Sequence, residues 1–483
     1  MEIELKKKIV KLLMENNILV DRGTLLKIED PKTAGKFEKI ISSKTKTNEE
    51  QIKEILNSKS KETTPNYNIK IIQSHSETFK KKSIQDFISH FNNRYKRMSG
   101  FLQKKQELQD ATSIKRILSK TEKEQVALIG LVYETAKTKN GNILLTLEDP
   151  TGQINVIVHK SKQDAMDIAE EIVYDECIGI MGVFMRGAVF ANSIILPDIP
   201  PTRELKKAPA EAYAVFAGDM HTGSKQFLGE SFNRMISWLR GEIGTEEQKR
   251  VAEKTKYFFI VGDLVDGVGI YPKQYEDLEI KDIRQQYKRF AEDLKRIPER
   301  IAIILCPGNH DAVRLSEPQP QLPKEFASEL YEMPNVFIVS NPSIVNIESG
   351  ENFQGLDVLL YHGMSFPYYA ENVKNISKSG GLKRADLIMK FLLQCRHLAP
   401  AHTSTLYMPE GEEDPLVIEK IPDFFVTGHI HRATTAAYRN VTLLNCSSWI
   451  GMTEYQQKTG LVPEPSRIIA ANLQTRETKI MRF

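Results

Sequence analysis

Five short stretches in the C-terminal half of the chain carry residue types suited to holding metal ions. They are Gly218-Asp219-Met220-His221, Gly262-Asp263-Leu264-Val265-Asp266, Gly308-Asn309-His310-Asp311, His362-Gly363 and Gly428-His429-Ile430-His431. Carboxylate, carboxamide and imidazole form a mixed oxygen and nitrogen donor set, which suits manganese, iron, zinc or magnesium rather than the thiolate sites that select soft metals. If Asp263 bridges two ions, the other six residues divide three and three: Asp219, His221 and His431 at one, Asn309, His362 and His429 at the other. Two divalent ions outweigh two carboxylates and a hydroxide, leaving a positive centre that attracts a phosphodiester. Such a pair generates hydroxide near neutral pH and stabilises both the attacking and the departing oxygen. Water attack on phosphorus is the reaction this set predicts. His310 is the candidate for contacting phosphate and protonating the leaving 3′ oxygen, and Asp311 is placed to hydrogen-bond an imidazole and fix its tautomer.

A lone Asp-x-His or His-x-His is weak ground for a metal site. Gly-Asn-His-Asp is more specific, because Asn and Asp flanking a His after an apolar run serve no packing purpose. Of the ten histidines, five fall inside these stretches. His397 and His402 lie outside them and read as structural or substrate-adjacent. Most of the stretches follow apolar, strand-like runs, at 212–217, 257–261, 301–305, 358–361 and 424–426. The candidate ligands therefore stand where strands end, and a Gly beside each permits a sharp turn and close backbone approach.

Around those strands, helical patterns at 227–240 and 283–297 predict a mixed α/β sandwich with helices on both outer faces. Further strands are expected at 441–446 and 467–471, with 479–483 as a last strand or a partner peptide. The insert at 268–279, with Tyr271 and Tyr275, is either a strand guide or an ordinary surface loop. The Lys-, Ser- and Gly-rich segment 365–386 is expected over the cleft, where Lys383 and Arg384 would contact phosphate.

The front of the chain holds no such chemistry. Residues 126–195 read as three strands, a helix near 165–173 and two more strands, the order of an OB barrel. Its few candidate aromatics, Tyr133, Phe184 and Phe190, include core positions, which favours protein docking over direct DNA binding. Residues 1–58 predict a bundle of short helices, one over 3–19 and one opened by a Thr47/Glu50 capping box. The polar stretch 58–82 reads as a flexible tether, followed by a helix over 87–108 with Arg94, Lys96 and Arg97 on an exposed side.

A chain of 483 residues suggests two or three domains. Net charge is +3, but residues 1–120 hold 26 Lys and Arg against 15 Asp and Glu, while the remainder holds 40 against 48. The basic front suits a nucleic acid or acidic protein, or is a solvated lysine surface. Four scattered Cys show no zinc or disulfide spacing, and no apolar stretch is long enough for a membrane span. A reducing, intracellular setting is expected.

The ordered motif set resembles the calcineurin-like metallophosphoesterase superfamily. With Arg396-His397-Leu398-Ala399-Pro400, Leu416-Val417-Ile418, Pro422-Asp423 and Thr427-Gly428-His429-Ile430-His431, the chain resembles the small subunits of the archaeal family D DNA polymerases. In that family a helical domain and an OB barrel precede the phosphoesterase. The resemblance implies a multidomain fold: an N-terminal helical bundle over 1–58, a linker with a helical segment over 59–115, an OB-fold β-barrel over 116–205 and an α/β sandwich calcineurin-like phosphoesterase domain over 206–483. It implies a metal-dependent 3′–5′ DNA exonuclease, with two Mn2+ ions favoured over Mg2+, Fe or Zn2+, proofreading for a large catalytic polymerase subunit. DNA with a 3′ end is the implied substrate, a sliding clamp a further candidate partner, and the cytoplasm, at the nucleoid, the implied location. Eukaryotic relatives share the layout and lack the metal ligands. Here every ligand position is filled, which implies a working nuclease. Two alternatives are a recombination-type nuclease of the same superfamily, whose phosphoesterase lies near the N-terminus, and a purely architectural subunit.

Overall fold

The computed structural model describes residues 3–15, 37, 67–76, 81–409, 413–453, 457 and 462–483. The chain divides into two compact units, Met1–Asn66 and Tyr67–Phe483. In the first, the helix Ile3–Glu15 buries Ile9 and Leu13, four residues apart and so on one face. The helix expected from Thr47 lies outside the described residues, as does most of the expected bundle.

At the start of the second unit the structure departs from the sequence pattern. Residues 58–82 read as a flexible tether, yet β1 (Ile69–Gln73) pairs antiparallel with Ser343–Ile347 at a sheet edge. A five-residue strand on an exposed edge, with polar neighbours on both sides, carries too little alternation to stand out in the sequence. The helix Ile84–Leu102 follows, opened by a capping box between Ser83 and Asp86. Arg94, expected on its exposed side, is only 2% exposed, and its Nε donates to Asp414 Oδ2 at 2.6 Å. The buried carboxylate that makes this tolerable comes from far along the chain, where helical periodicity cannot reveal it.

Strands β2 (Glu124–Lys137), β3 (Ile143–Asp149), β4 (Gly152–Val158), β5 (Cys177–Met185) and β6 (Ala188–Ile195) close into a barrel in the order β2-β3-β4-β6-β5. The helix Gln163–Ala169, ending short of the expected 173, lies between β4 and β5 in the chain. Alternation sets the barrel interior: Ile154, Val156 and Val158 of β4 are buried while the residues between them are not.

Two six-stranded sheets make the rest. In one, β7 (Tyr213–Ala217), β8 (Thr255–Val261), β9 (Ala302–Cys306) and β10 (Val336–Ile338) run parallel. In the other, β11 (Ser343–Ile347), β12 (Leu356–Leu360), β13 (Phe424–Thr427), β14 (Thr434–Tyr438) and β15 (Val441–Asn445) follow the order β1-β11-β12-β13-β15-β14. The first sheet is completed by β16 (Arg467–Asn472) beside β7 and by β17 (Thr478–Arg482) at its edge. The C-terminus is thus a strand, and Phe483 packs against Trp238 at 5.6 Å between ring centres. Phe216, Phe259 and Phe424 stack between the sheets. The helices Gly229–Leu239 and Ile283–Leu294 cover one outer face, Phe366–Asn372 and Ala385–Cys395 the other. Continuous apolar runs such as Phe258-Phe259-Ile260-Val261 follow from this, since the central strands are buried on both sides.

The segment 365–386, expected over the cleft with Lys383 and Arg384 on phosphate, makes contacts of its own with the rest of the chain. Lys374 pairs with Glu170 of the barrel, the Asn375 amide donates to Glu171 at 2.9 Å, and Arg384 is engaged by Asp386 at 2.7 and 2.9 Å. Lys374 and Asn375 thus join the segment to the stretch of chain between β4 and β5.

Candidate metal centre

Five residues of the candidate set hold left-handed backbone conformations: Asp219 (φ 51°), His221 (50°), Asp263 (48°), His429 (70°) and His431 (54°). Such conformations cost free energy in non-Gly residues and persist where the surroundings over-determine them, most often at functional sites. The adjoining glycines show what sets them. A Cβ on Gly262 would meet His362 Nδ1 at 2.0 Å, one on Gly308 would meet Asp263 Oδ1 at 2.3 Å, and one on Gly428 would meet Asp219 Oδ2 at 2.6 Å. Side chains from one strand end lie directly on the backbone of the next.

The strand ends bring Asp219, His221 and His431 into one group and Asp263, His362 and His429 into a second, each with its donor atoms within 4.8 Å of one another. Asn309 joins the second, its Oδ1 3.0 Å from His362 Nε2. Asp263 lies between the groups: its Oδ2 is 3.7 Å from His221 Nε2 and 3.3 Å from His362 Nε2.

The donors suit cations. His362 Nδ1 faces the Val261 carbonyl at 3.2 Å and must carry a proton there, which leaves Nε2 as the metal-facing atom. His221 Nδ1 likewise faces Asp266 Oδ1 at 3.1 Å, and its Nε2 stands 3.2 Å from His431 Nε2. At this separation one proton, or one cation held by both rings, can lie between them. Burial pushes His221 below its ordinary pKa, and burial with the nearby His362 pushes His429 down to about 3, so both favour the neutral form that binds metal. Burial works against charge on Asp263, yet the facing imidazoles of His362, His310 and His221 hold its carboxyl well below the usual range. In turn Asp263 lifts His362 to about 10 against the pull of burial. Asp263 thus demands positive charge at this point, a demand a divalent ion also meets.

His310 sits against the first group, its ring centre 4.6 Å from that of His221. Its amide donates to Asp263 Oδ1 at 2.8 Å and its Nδ1 faces the Asp266 carbonyl at 2.7 Å. Asp311 departs from expectation. Its Oδ2 accepts from the amides of Gly308 and Leu264 at 2.8 and 3.2 Å, and its Oδ1 from Tyr287 Oη at 2.9 Å. It ties two ligand loops together and orients no imidazole. Burial and the nearby Asp263 push its carboxyl up to about 7. The residue that does orient imidazoles is Asp266, through its carboxylate to His221 and its carbonyl to His310. Sequence reasoning misses this role, although the position of Asp266 three residues after Asp263 is the available signal. His397 bonds Asp414 at 2.9 Å, away from the cluster, and His402 packs on Phe91 and Tyr407.

Known proteins carry related sequences. Residues 214–436 match the family of the B subunits of DNA polymerases alpha and epsilon. The DNA polymerase II small subunit of Methanothermobacter thermautotrophicus is 35% identical over 402 residues, 83% of this chain and 80% of that one. Its counterpart in Archaeoglobus fulgidus is 36% identical over 386 residues, 80% of this chain and 75% of that one. Against the Methanocaldococcus jannaschii protein of the same name, identity is 35% over 81% of this chain but only 64% of the relative's length. The chain therefore belongs to the archaeal DNA polymerase II small-subunit family, the small subunits of the family D DNA polymerases.

Proposed function

We propose that this small subunit is a metal-dependent 3′–5′ exonuclease that removes mispaired nucleotides for a large catalytic polymerase subunit. In this reading the two-sheet body is a calcineurin-like phosphoesterase and the closed barrel an OB fold used for docking. The observation that carries it is the placing of Asp263 Oδ2 between His221 and His362, with the remaining candidate ligands divided on either side. Two divalent ions, manganese first among the candidates, supply water activation and charge neutralisation at phosphorus when bound. Asp219, His221 and His431 would hold one and Asn309, His362 and His429 the other, with Asp263 common to both. The residues themselves do the rest. Asp266 and the Val261 carbonyl keep the imidazoles turned with Nε2 inward, and Asp311 keeps the Leu264 and Gly308 loops in register. His310 offers its Nε2 to the phosphate and gives its proton to the departing 3′ oxygen. A DNA 3′ end is the substrate, a sliding clamp is a further partner to test, and the complex works on chromosomal DNA in the cytoplasm.

The test is degradation of a 3′-mismatched primer with manganese by the purified chain, alone and with its polymerase partner. Asp263→Ala is expected to lose more than about a hundredfold and His310→Ala about 10²- to 10⁴-fold. Full activity in Asp263→Ala would remove the bridging role assigned to that carboxylate, and an inert wild type even with its partner would leave an architectural subunit as the better description.

A further inference from the structure

The insert that follows Asp266 stands against the metal centre, and the proposed hydrolysis gives it no task. It leaves over the His310 backbone: Gly267 has a φ of 76°, and a Cβ there would meet the His310 carbonyl oxygen at 2.3 Å. Two buried glutamines then pin it. Gln286 Oε1 accepts from the Gly267 amide at 2.9 Å, while its Nε2 donates to the Gly267 and Ile280 carbonyls at 3.1 and 2.7 Å. Gln274 Nε2 donates to Asp266 O and Oδ2 at 2.7 and 3.1 Å, and its Oε1 accepts from the Ile270 amide at 2.8 Å. Buried amides satisfied in this way rigidify what they hold.

What they hold is Tyr271. Its ring centre lies 6.4 Å from that of His310, the planes inclined at 58°, and its Oη donates to Asp277 Oδ2 at 3.1 Å, which fixes the ring. The ring is half-buried, and nearby Val268 is 41% exposed, so the insert presents apolar surface beside the candidate acid.

We infer that Tyr271 is a specificity residue whose ring stacks on the base of the penultimate nucleotide, the one that carries the leaving 3′ oxygen. The inference rests on the proposed hydrolysis. There a hydroxide oxygen bonds to phosphorus, the bond from phosphorus to the 3′ oxygen breaks, and that oxygen takes the His310 proton. The group beside His310 is therefore the penultimate nucleoside, while the terminal one departs with the phosphate. A fixed aromatic face just beyond His310 meets that penultimate base. Stacking of this kind tolerates any base, as a nuclease correcting all mispairs requires. It also favours a frayed or single-stranded end, because a base inside a duplex is already stacked on both sides.

The experiment uses the full chain with manganese and three 5′-labelled single strands: intact, abasic at the penultimate position and abasic at the terminal position. Removing the penultimate base should slow wild type about tenfold, and removing the terminal base should slow it much less. Tyr271→Ala should erase the penultimate preference and Tyr271→Phe should keep it. In parallel, with calcium in place of manganese, 2-aminopurine at the penultimate position should be quenched on binding to wild type and not to Tyr271→Ala. A penultimate preference or quench that survives in Tyr271→Ala, or no quench in wild type, overturns the stacking assignment. A wild type that quenches the probe but cuts nothing removes the hydrolytic reading and leaves the stacking one in place.

Discussion

Glu176 is a carboxyl placed where its charge has almost no support. It is 3% exposed, and its Oε1 accepts one hydrogen bond, from the Val173 amide at 2.7 Å. Burial raises its pKa from 4.5 to about 8, helped by Glu171 and only partly opposed by the Val173 amide and the Cys395 thiol. A folded value above the unfolded one means that the native state holds the extra proton between those limits. The stability it contributes is complete below pH 4.5 and is lost as pH rises toward 8. Each unit of the difference corresponds to about 1.4 kcal/mol. Glu176→Gln, neutral in both states, should flatten this dependence. Urea unfolding at about pH 5 and about pH 8.5 reads it, and an unchanged difference between the two in the variant would contradict it. At this scale the sequence is informative where residue type alone restricts chemistry. His, Asp and Asn beside Gly at strand ends have few structural uses, so the candidate ligands can be named. Which hydrogen bonds Asp311 makes is not legible, because Leu264 and Tyr287 come from distant parts of the chain and only the fold brings them to it.

Among the elements, the helix Ile84–Leu102 shows what periodicity leaves out. Arg94 reaches from it to Asp414 at 2.6 Å and to the Pro400 carbonyl at 3.0 Å, and His90 and His397 approach the same carboxylate at 3.3 and 2.9 Å. Arg94 and Asp414 are both nearly inaccessible, so removing one partner strands the other. Arg94→Ala should cost about 3 to 5 kcal/mol by leaving Asp414 buried and uncompensated. The double variant Arg94→Ala, Asp414→Ala should cost less than the sum of the single changes. Chemical denaturation of the three variants measures both, and a cost below about 1 kcal/mol for Arg94→Ala would mean the helix is held by its apolar contacts alone. The strands Thr255–Val261, Ala302–Cys306, Leu356–Leu360 and Phe424–Thr427 are legible because each is a short, almost wholly buried apolar run; Val336–Ile338 and Thr434–Tyr438, which are only partly buried, are not. The edge strand Ile69–Gln73 is not, because none of its residues is buried and its register is set by Ser343–Ile347, more than two hundred residues away.

For the whole molecule, the chain divides at Asn66, and the candidate site is built from residues of the second unit. Every candidate ligand, together with His310, Asp266, Asp311 and Tyr271, belongs to Tyr67–Phe483. So does the strand Ile69–Gln73, whose backbone hydrogen bonds close one edge of the sheet that carries His362 and His429 at its strand ends. A chain beginning at Tyr67 should therefore unfold in one cooperative transition within a few degrees of the full chain, and should match the full chain in the proposed manganese-dependent hydrolysis. A chain beginning at Lys81 is expected to behave differently. It lacks that strand and leaves the amides and carbonyls that Ser343–Ile347 turns toward it without partners, so its midpoint should fall by a few degrees, since at about 2 cal/mol/K per residue each 1 kcal/mol shifts a body of this size by about 1 °C. Scanning calorimetry of the three chains, with hydrolysis measured alongside, distinguishes the cases. Loss of hydrolysis on removing residues 1–66 alone would show that the first unit contributes to the site. Equal midpoints for the chains starting at Tyr67 and Lys81 would show that the edge strand adds nothing to the body it borders.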